Sequence, residues 1–490
     1  MVSATGDGWN GNFLYISPEI AVTLGCSDCS EAVDVLCIPE GTYSPYACGG
    51  DYPEEVQWEI QGYGVSGGAD ASCTPTSGSF TVVVTDAPTF TPSAVPSSNP
   101  SVTYQPTVFP TIWFSLVNPE ELDGVVVPVS ATADATADSS LCIPESTESL
   151  VSCNLRSAVE YCTTVVSTEA CSVILPAVSI IEISSSLGEI VMDSANAVAI
   201  YGQGSIVAPD SSTNRFMAIH SSQNISLFDL ELQRFNNGEG GAMYLSGVTK
   251  MHLERVRFRG NIAGNGGAIF INISNHVTFS DCLFRDNSAS GDGGAMYISD
   301  YNYRITVSGS TFRSNSAEGN GGGLFVHQYN DFITMDDTDV LDVTATNRGG
   351  GLYVNHFNDH LMLHNTTISG CSANIQGGGI YVFKNNYAMS FKALTIEDCE
   401  SVTDDGAGVF IHSFNEDFVM ERCSILRCNS ADKGGGLYSY SNDALRIVDS
   451  VIAECNAVVD GGGLYFSTGS YDNVISGCRI TSCSAGDDGK

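Results

Sequence analysis

The chain has 490 residues, with 19 Lys+Arg against 56 Asp+Glu and a formal net charge of −37. That sign excludes a basic nucleic-acid binder, and the lack of any apolar run near about 20 residues excludes a membrane-spanning helix. Full disorder is excluded as well, because 43% of the residues are hydrophobic, enough for a large core.

Residues 1–86 hold Cys26, Cys29, Cys37, Cys48 and Cys73 and end in a strand-like run at 80–84, which predicts a small Cys-rich β module. Residues 1–20 show neither a charged leader nor an apolar run, so the chain reads as a piece of a longer protein. Six prolines crowd residues 88–110 among Ser and Thr, which predicts an extended linker over 87–111, open to O-glycosylation. That linker resembles the Pro-Ser spacers of extracellular multidomain proteins of unicellular algae.

A cap region follows at 112–172. Leu155, Ala158, Val159 and Cys162 share one face of a helix expected over 154–163, and Cys142, Cys153, Cys162 and Cys171 are placed to staple it. Its Cys-x-Leu-Arg-x-Ala pattern resembles the helix that precedes many right-handed β-helices. Capping the first coil hides a row of otherwise unpaired strand amides.

From residue 173 to 490 the chain is a repeat array. Motifs such as Gly-Gly-Ala-Met-Tyr and Gly-Gly-Gly-Leu-Tyr place their third residue at 242, 268, 295, 323, 351, 379, 408, 436 and 463, at intervals of 26–29. No proline follows Pro209, as stacked strands that need every amide would require. The expected fold is an all-β, right-handed parallel β-helix with three strands per coil, at 295–299, 303–308 and 311–314 in one unit. Phe258-Arg-Gly-Asn261, Phe284-Arg-Asp-Asn287 and Phe312-Arg-Ser-Asn315 alternate with Gly-Gly. This pairing resembles the chlamydial polymorphic outer-membrane protein repeat, within the pectin-lyase-like class. The resemblance implies fold, not activity.

Several residue sets could carry chemistry. Asn275, Asn302, Asn330, Asn358, Asn386 and Asn415 recur seven residues after the motif and are expected to form a structural turn ladder. His327, His356 and His412 are candidate metal ligands, but Lys384 takes the corresponding place between the last two, so no resident metal is expected. Acidic residues before each Gly-Gly (Asp292, Asp404, Asp405, Asp432, Asp460, Asp487, Asp488) allow at most loosely held surface Ca²⁺. Asp336, Asp337 and Asp339 are the candidate catalytic carboxylates, with His364 and Asn365 one coil away. Their alternative role is a solvated acidic turn.

Cys371, Cys399, Cys428, Cys455 and Cys483 are expected to form one mostly reduced column, with Cys423–Cys428 and Cys478–Cys483 as rival pairings. Asn224, Asn272 and Asn365 head glycosylation sequons. Gly489 aligns with the first glycine of a tenth motif, so further coils are expected beyond it. The functional expectation is an extracellular, non-catalytic solenoid that is structural, adhesive or glycan-contacting, with glycans or other cell-surface proteins as partners. The competing expectation is a lyase or hydrolase acting on an acidic polysaccharide.

Overall fold

The computed structural model describes residues 122, 124–142, 153–166, 169–211, 214–467, 469 and 471–486, together with nine strands between residues 2 and 82. The expected linker 87–111, Cys26, Cys29, Cys37, Cys73, Asp487, Asp488 and Gly489 lie outside the described residues. The chain divides into two compact units, Met1–Ile112 and Trp113–Lys490.

In the first unit the described strands form antiparallel sheets of four, three and two strands. The smallest pairs Gly41–Tyr43 with Phe80–Val82.

In the second unit, helix α1 (Leu155–Glu160) begins where the Asn154 side chain accepts a hydrogen bond from the Ser157 backbone N–H. It runs on through a π-helical turn, Tyr161–Val165. Disulfides Cys142–Cys153 and Cys162–Cys171 hold its two ends. Arg156 is 2.6 Å from Asp134 and donates to the carbonyls of Gly188 and Glu189, tying the helix to the first coils.

The array itself is built coil by coil. In the coil around residues 293–320 the strands are Met296–Ile298, Tyr303–Ser308, Thr311–Arg313 and Ser316–Ala317. The last, only two residues long, is additional to the three expected. Each strand pairs in parallel with its counterpart one coil on: Phe258 faces Phe284, and Phe284 faces Phe312. The first kind of strand builds an 11-stranded sheet and the last a 10-stranded one, while the other two share a 23-stranded sheet. The fold is a right-handed parallel β-helix of about 11 turns.

Stacking at the strand spacing of about 4.8 Å puts like on like. Phe258, Phe284 and Phe312 stack inside at 4.8 and 4.5 Å. A second buried column runs Phe270, Tyr297, Phe325, Tyr353, Tyr381, Phe410, Tyr438, with rings 4.7–5.0 Å apart. The Gly-Gly loops lie against it. Gly321 has φ +64, and a Cβ there would come within 2.5 Å of Leu324 O and 3.1 Å of Phe325 Cβ, so only glycine fits.

Candidate functional site

Each coil turns three times, and each turn stacks into a column whose side chains either serve the fold or face outward. Sorting these columns separates structural from functional candidates.

The turn after the 11-stranded sheet carries an asparagine ladder. Asn302, Asn330, Asn358 and Asn386 each donate their backbone N–H to the side-chain oxygen of the next asparagine, at 2.9–3.1 Å. Asn415 donates in the same way to Asn442. Asn275 is not a rung. Ser274 takes its place and donates its backbone N–H to Asn302 Oδ1 at 2.8 Å, while Asn275 begins the following strand with its Oδ1 buried and unpartnered. Coils differ in length by one or two residues, so counting seven from the motif slips the register here. It also passes over Asn442, which lies six residues on.

The cysteines form the corresponding column at the turn before the 10-stranded sheet. Cys371, Cys399, Cys428, Cys455 and Cys483 follow the rungs Asn261, Asn287 and Asn315, with Val343 between. All five are free, as are Cys282, Cys423 and Cys478. Neither rival pairing is present. Burial pushes the Cys423 thiol up to about 11 and holds Cys399 and Cys428 well above the ordinary thiol range.

The histidines do not converge. Strand register puts His327, Asn355, Phe383 and His412 in one column, while His356 is one residue on, in line with Lys384. Lys384 thus stands opposite His356, and Phe383 fills the place beside His412. His327 Nδ1 is 2.5 Å from Asp300 Oδ1. Burial, then neighbouring His327 and Lys384, lowers the pKa of His356; burial and Lys384 do the same for His412. This is a row of separate imidazoles, not a ligand set.

Among the candidate carboxylates, Asp336 Oδ1 is 2.6 Å from His364 Nδ1 across one coil. Asp337 accepts from Asn365 Nδ2 and sits at φ +47 on a column that includes Asp281, Gly309 and Asn365, all left-handed. Turn geometry that favours Asp, Asn and Gly accounts for that position. Asp339 opens the next strand, where burial raises its pKa against a hydrogen bond from Thr367. Of the sequon asparagines, Asn224 and Asn365 are exposed and Asn272 is half-buried. Before the Gly-Gly loops, Asp404, Asp405 and Asp432 bring ligand oxygens within 4.8 Å of one another, a donor set suited to a hard cation. Burial, then Asp404 and Asp432, raises Asp405 to about 7.

The conspicuous outward column was not among the expected sites. It immediately precedes the asparagine ladder: Tyr301, Tyr329 and Phe357, then Asn385, then Phe414. All sit at φ +54 to +59. Bulky residues rarely take left-handed backbone, and doing so costs about 1–3 kcal/mol each. Yet the aromatic side chains are 42–62% exposed. Tyr301 stacks on Tyr329 at 5.2 Å, and Tyr329 on Phe357 at 5.4 Å. Asn385 interrupts the column, so Phe357 and Phe414 stand two coils apart, about 10 Å. That is the spacing of one ring sandwiched between two others. Tyr387, 44% exposed, lies two residues after Asn385. The signal was present in the sequence as an aromatic residue before four of the ladder asparagines.

Comparison with known proteins adds to the fold. A model of a right handed beta helix region matches residues 331–488. No curated protein matches. Among solved structures, the Azotobacter vinelandii mannuronan C-5 epimerase AlgE6 A-module has a TM-score of 0.44 at 13% identity, covering 68% of this chain and 94% of that one. A mutant of the periplasmic alginate epimerase AlgG gives 0.41 at 9%, covering 64% and 77%. PfbA, a surface adhesin of Streptococcus pneumoniae, gives 0.35 at 10%, covering 64% and 84%. Among the described residues, no helix is long and apolar enough to cross a membrane.

Proposed function

We propose that the solenoid is a non-catalytic, glycan-contacting module of an extracellular protein, and that the Tyr301–Tyr329–Phe357 column with the Asn385 gap is its contact surface. The observation that carries this reading is the exposed aromatic column held on left-handed backbone. Other turns of the coils fill that conformation with Asp, Asn, Ser or Gly, as at Asp281, Gly309, Ser314 and Asp342, and also with Arg255, His276, Arg304, Phe332 and Arg422, so what sets this column apart is its run of exposed, mutually stacked rings. Strain kept where packing does not require it points to use. Exposed rings on either side of the smaller Asn385 side chain suit the apolar face of a sugar. The two disulfides of the cap favour an oxidising location.

Glycan-array binding by the full chain tests the reading. Binding should appear and fall about tenfold or more in Phe357→Ala/Phe414→Ala, a loss of about 1.4 kcal/mol or more. Unchanged binding by that variant would overturn the assignment. The Asp336–His364 pair favours the hydrolase or lyase reading instead. Release of reducing ends or unsaturated product from acidic polysaccharides, abolished by Asp337→Asn, would establish it over ours.

A further inference from the structure

A second outward column lies on the 23-stranded sheet, separated from the aromatic one by the strand Tyr303–Ser308. Arg259, Arg285 and Arg313 stand directly opposite one another on three consecutive coils. They alternate with the inward Phe258, Phe284 and Phe312, so the strand pleat forces them outward. Their side chains are 56%, 50% and 48% exposed. Like charges placed opposite in register repel, and nothing in the packing requires them.

Their acidic neighbours are few. Asp286 is 3.1 Å from Arg285 and 4.0 Å from Arg259, and Asp342 is 3.7 Å from Arg313. Beside them Arg257 is half-buried opposite Glu231. Glu231, Arg257, Phe258, Arg259, Leu283 and Arg285 line a shallow cleft of about 80 Å³. Four of the 19 basic residues of a chain of charge −37 are thus gathered on one strip.

We propose that Arg259, Arg285 and Arg313, with Arg257 beside the first, form a binding strip for an anionic polysaccharide lying along the solenoid axis, its carboxylate or sulfate groups meeting one in-register guanidinium per coil. The planar fork of arginine matches both anions in two-point contacts. A sugar chain with one charge per ring suits one arginine per coil flanked by Asp286 and Asp342. The strip does not depend on the aromatic column, and either surface can fail alone.

The test is calorimetric titration of the full chain with polygalacturonate, dextran sulfate and neutral dextran, at low and high salt. At least one polyanion should bind, more weakly as salt rises, and neutral dextran should not compete. Which polyanion binds distinguishes carboxylate from sulfate. Arg259→Gln/Arg285→Gln/Arg313→Gln should weaken binding about tenfold or more, while Arg422→Gln leaves it unchanged. If the triple variant does not fold, Arg285→Gln alone should show a smaller loss in the same direction. The proposal is overturned if neither polyanion binds, if neutral dextran binds equally, or if the arginine variants bind as the parent does.

Discussion

The same turn is built twice in this molecule, once with asparagine and once with cysteine. In the earlier coils Asn261 and Asn287 donate their backbone N–H to the side-chain oxygen one coil on, and the Asn287 Nδ2 amide donates back to Phe258 O at 3.0 Å. In the later coils the Cys399 sulfur accepts the backbone N–H of Cys371, and the Cys371 thiol lies 3.5 Å from Val340 O. Sulfur thus repeats the amide's two roles, acceptor from the coil before and donor to a carbonyl, at weaker strength. The motif glycine changes with it. Ala268 and Ala295 stand in the asparagine coils, and Gly351, Gly379 and Gly408 in the cysteine coils. A Cβ on Gly379 would come within 3.3 Å of Cys399 Sγ and 2.6 Å of Gly408 O. The lesson is that this turn accepts either asparagine or cysteine as its bridging side chain, and at Val343 an apolar one with no bridge. Columns explained in this way need no function, and those left unexplained are where function is to be sought.

The largest expected effect is at the other ladder, where no sulfur substitute occurs. Asn358→Ala leaves the Asn330 backbone N–H, the Asn330 amide and the His327 carbonyl without their partner. At about 1–3 kcal/mol for each buried group so orphaned, the loss should reach about 3 kcal/mol or more in chemical denaturation. By contrast Asn315→Cys, which copies the later coils, should cost only about 1 kcal/mol, and a loss as large as that of Asn315→Ala would break the equivalence.

Gly379→Ala should cost about 1–3 kcal/mol by overpacking, and the reverse change Ala295→Gly less than about 1 kcal/mol. Equal losses would mean that glycine does not compensate for sulfur. Alkylation sharpens the comparison. The buried thiols of Cys371, Cys399, Cys428 and Cys455 should react only on unfolding, because reagent cannot reach them and a raised pKa leaves little thiolate at Cys399, Cys428 and Cys455. Rapid labelling of the native chain, or mass evidence of full oxidation, would contradict it.

The smallest effect concerns pH. Asp405 sits in the cysteine coils at about 7, whereas Asp292, in the earlier coils, accepts from both the Asn320 amide and backbone N–H. Because the folded carboxyl of Asp405 holds its proton more tightly than the unfolded one, stability falls as pH rises from about 4 to 7. Asp405→Asn should therefore raise Tm by about 2 °C at pH 8 and leave it unchanged at pH 4. A constant shift across that range would rule out titration of this group.

Much of the fold was legible because the Gly-Gly period and the missing prolines are long-range patterns that only stacked coils satisfy. The strand Ser316–Ala317 was not, since two residues carry no periodicity. The slip at Asn275 arises because the stretch from motif to rung is one residue shorter in that coil, whereas His356 lies one residue past the column of His327 and His412 in coils of equal stretch. The aromatic column was written before four of the ladder asparagines, but the exposure and stacking of its rings exist only in three dimensions.

The central claim, that this aromatic column binds glycan, is tested most directly by calorimetric titration of a glycan found on the array into the full chain. The account predicts a saturable change, lost in Phe357→Ala/Phe414→Ala and kept in Asp337→Asn. Binding that survives the aromatic change, or disappears with Asp337, would contradict it.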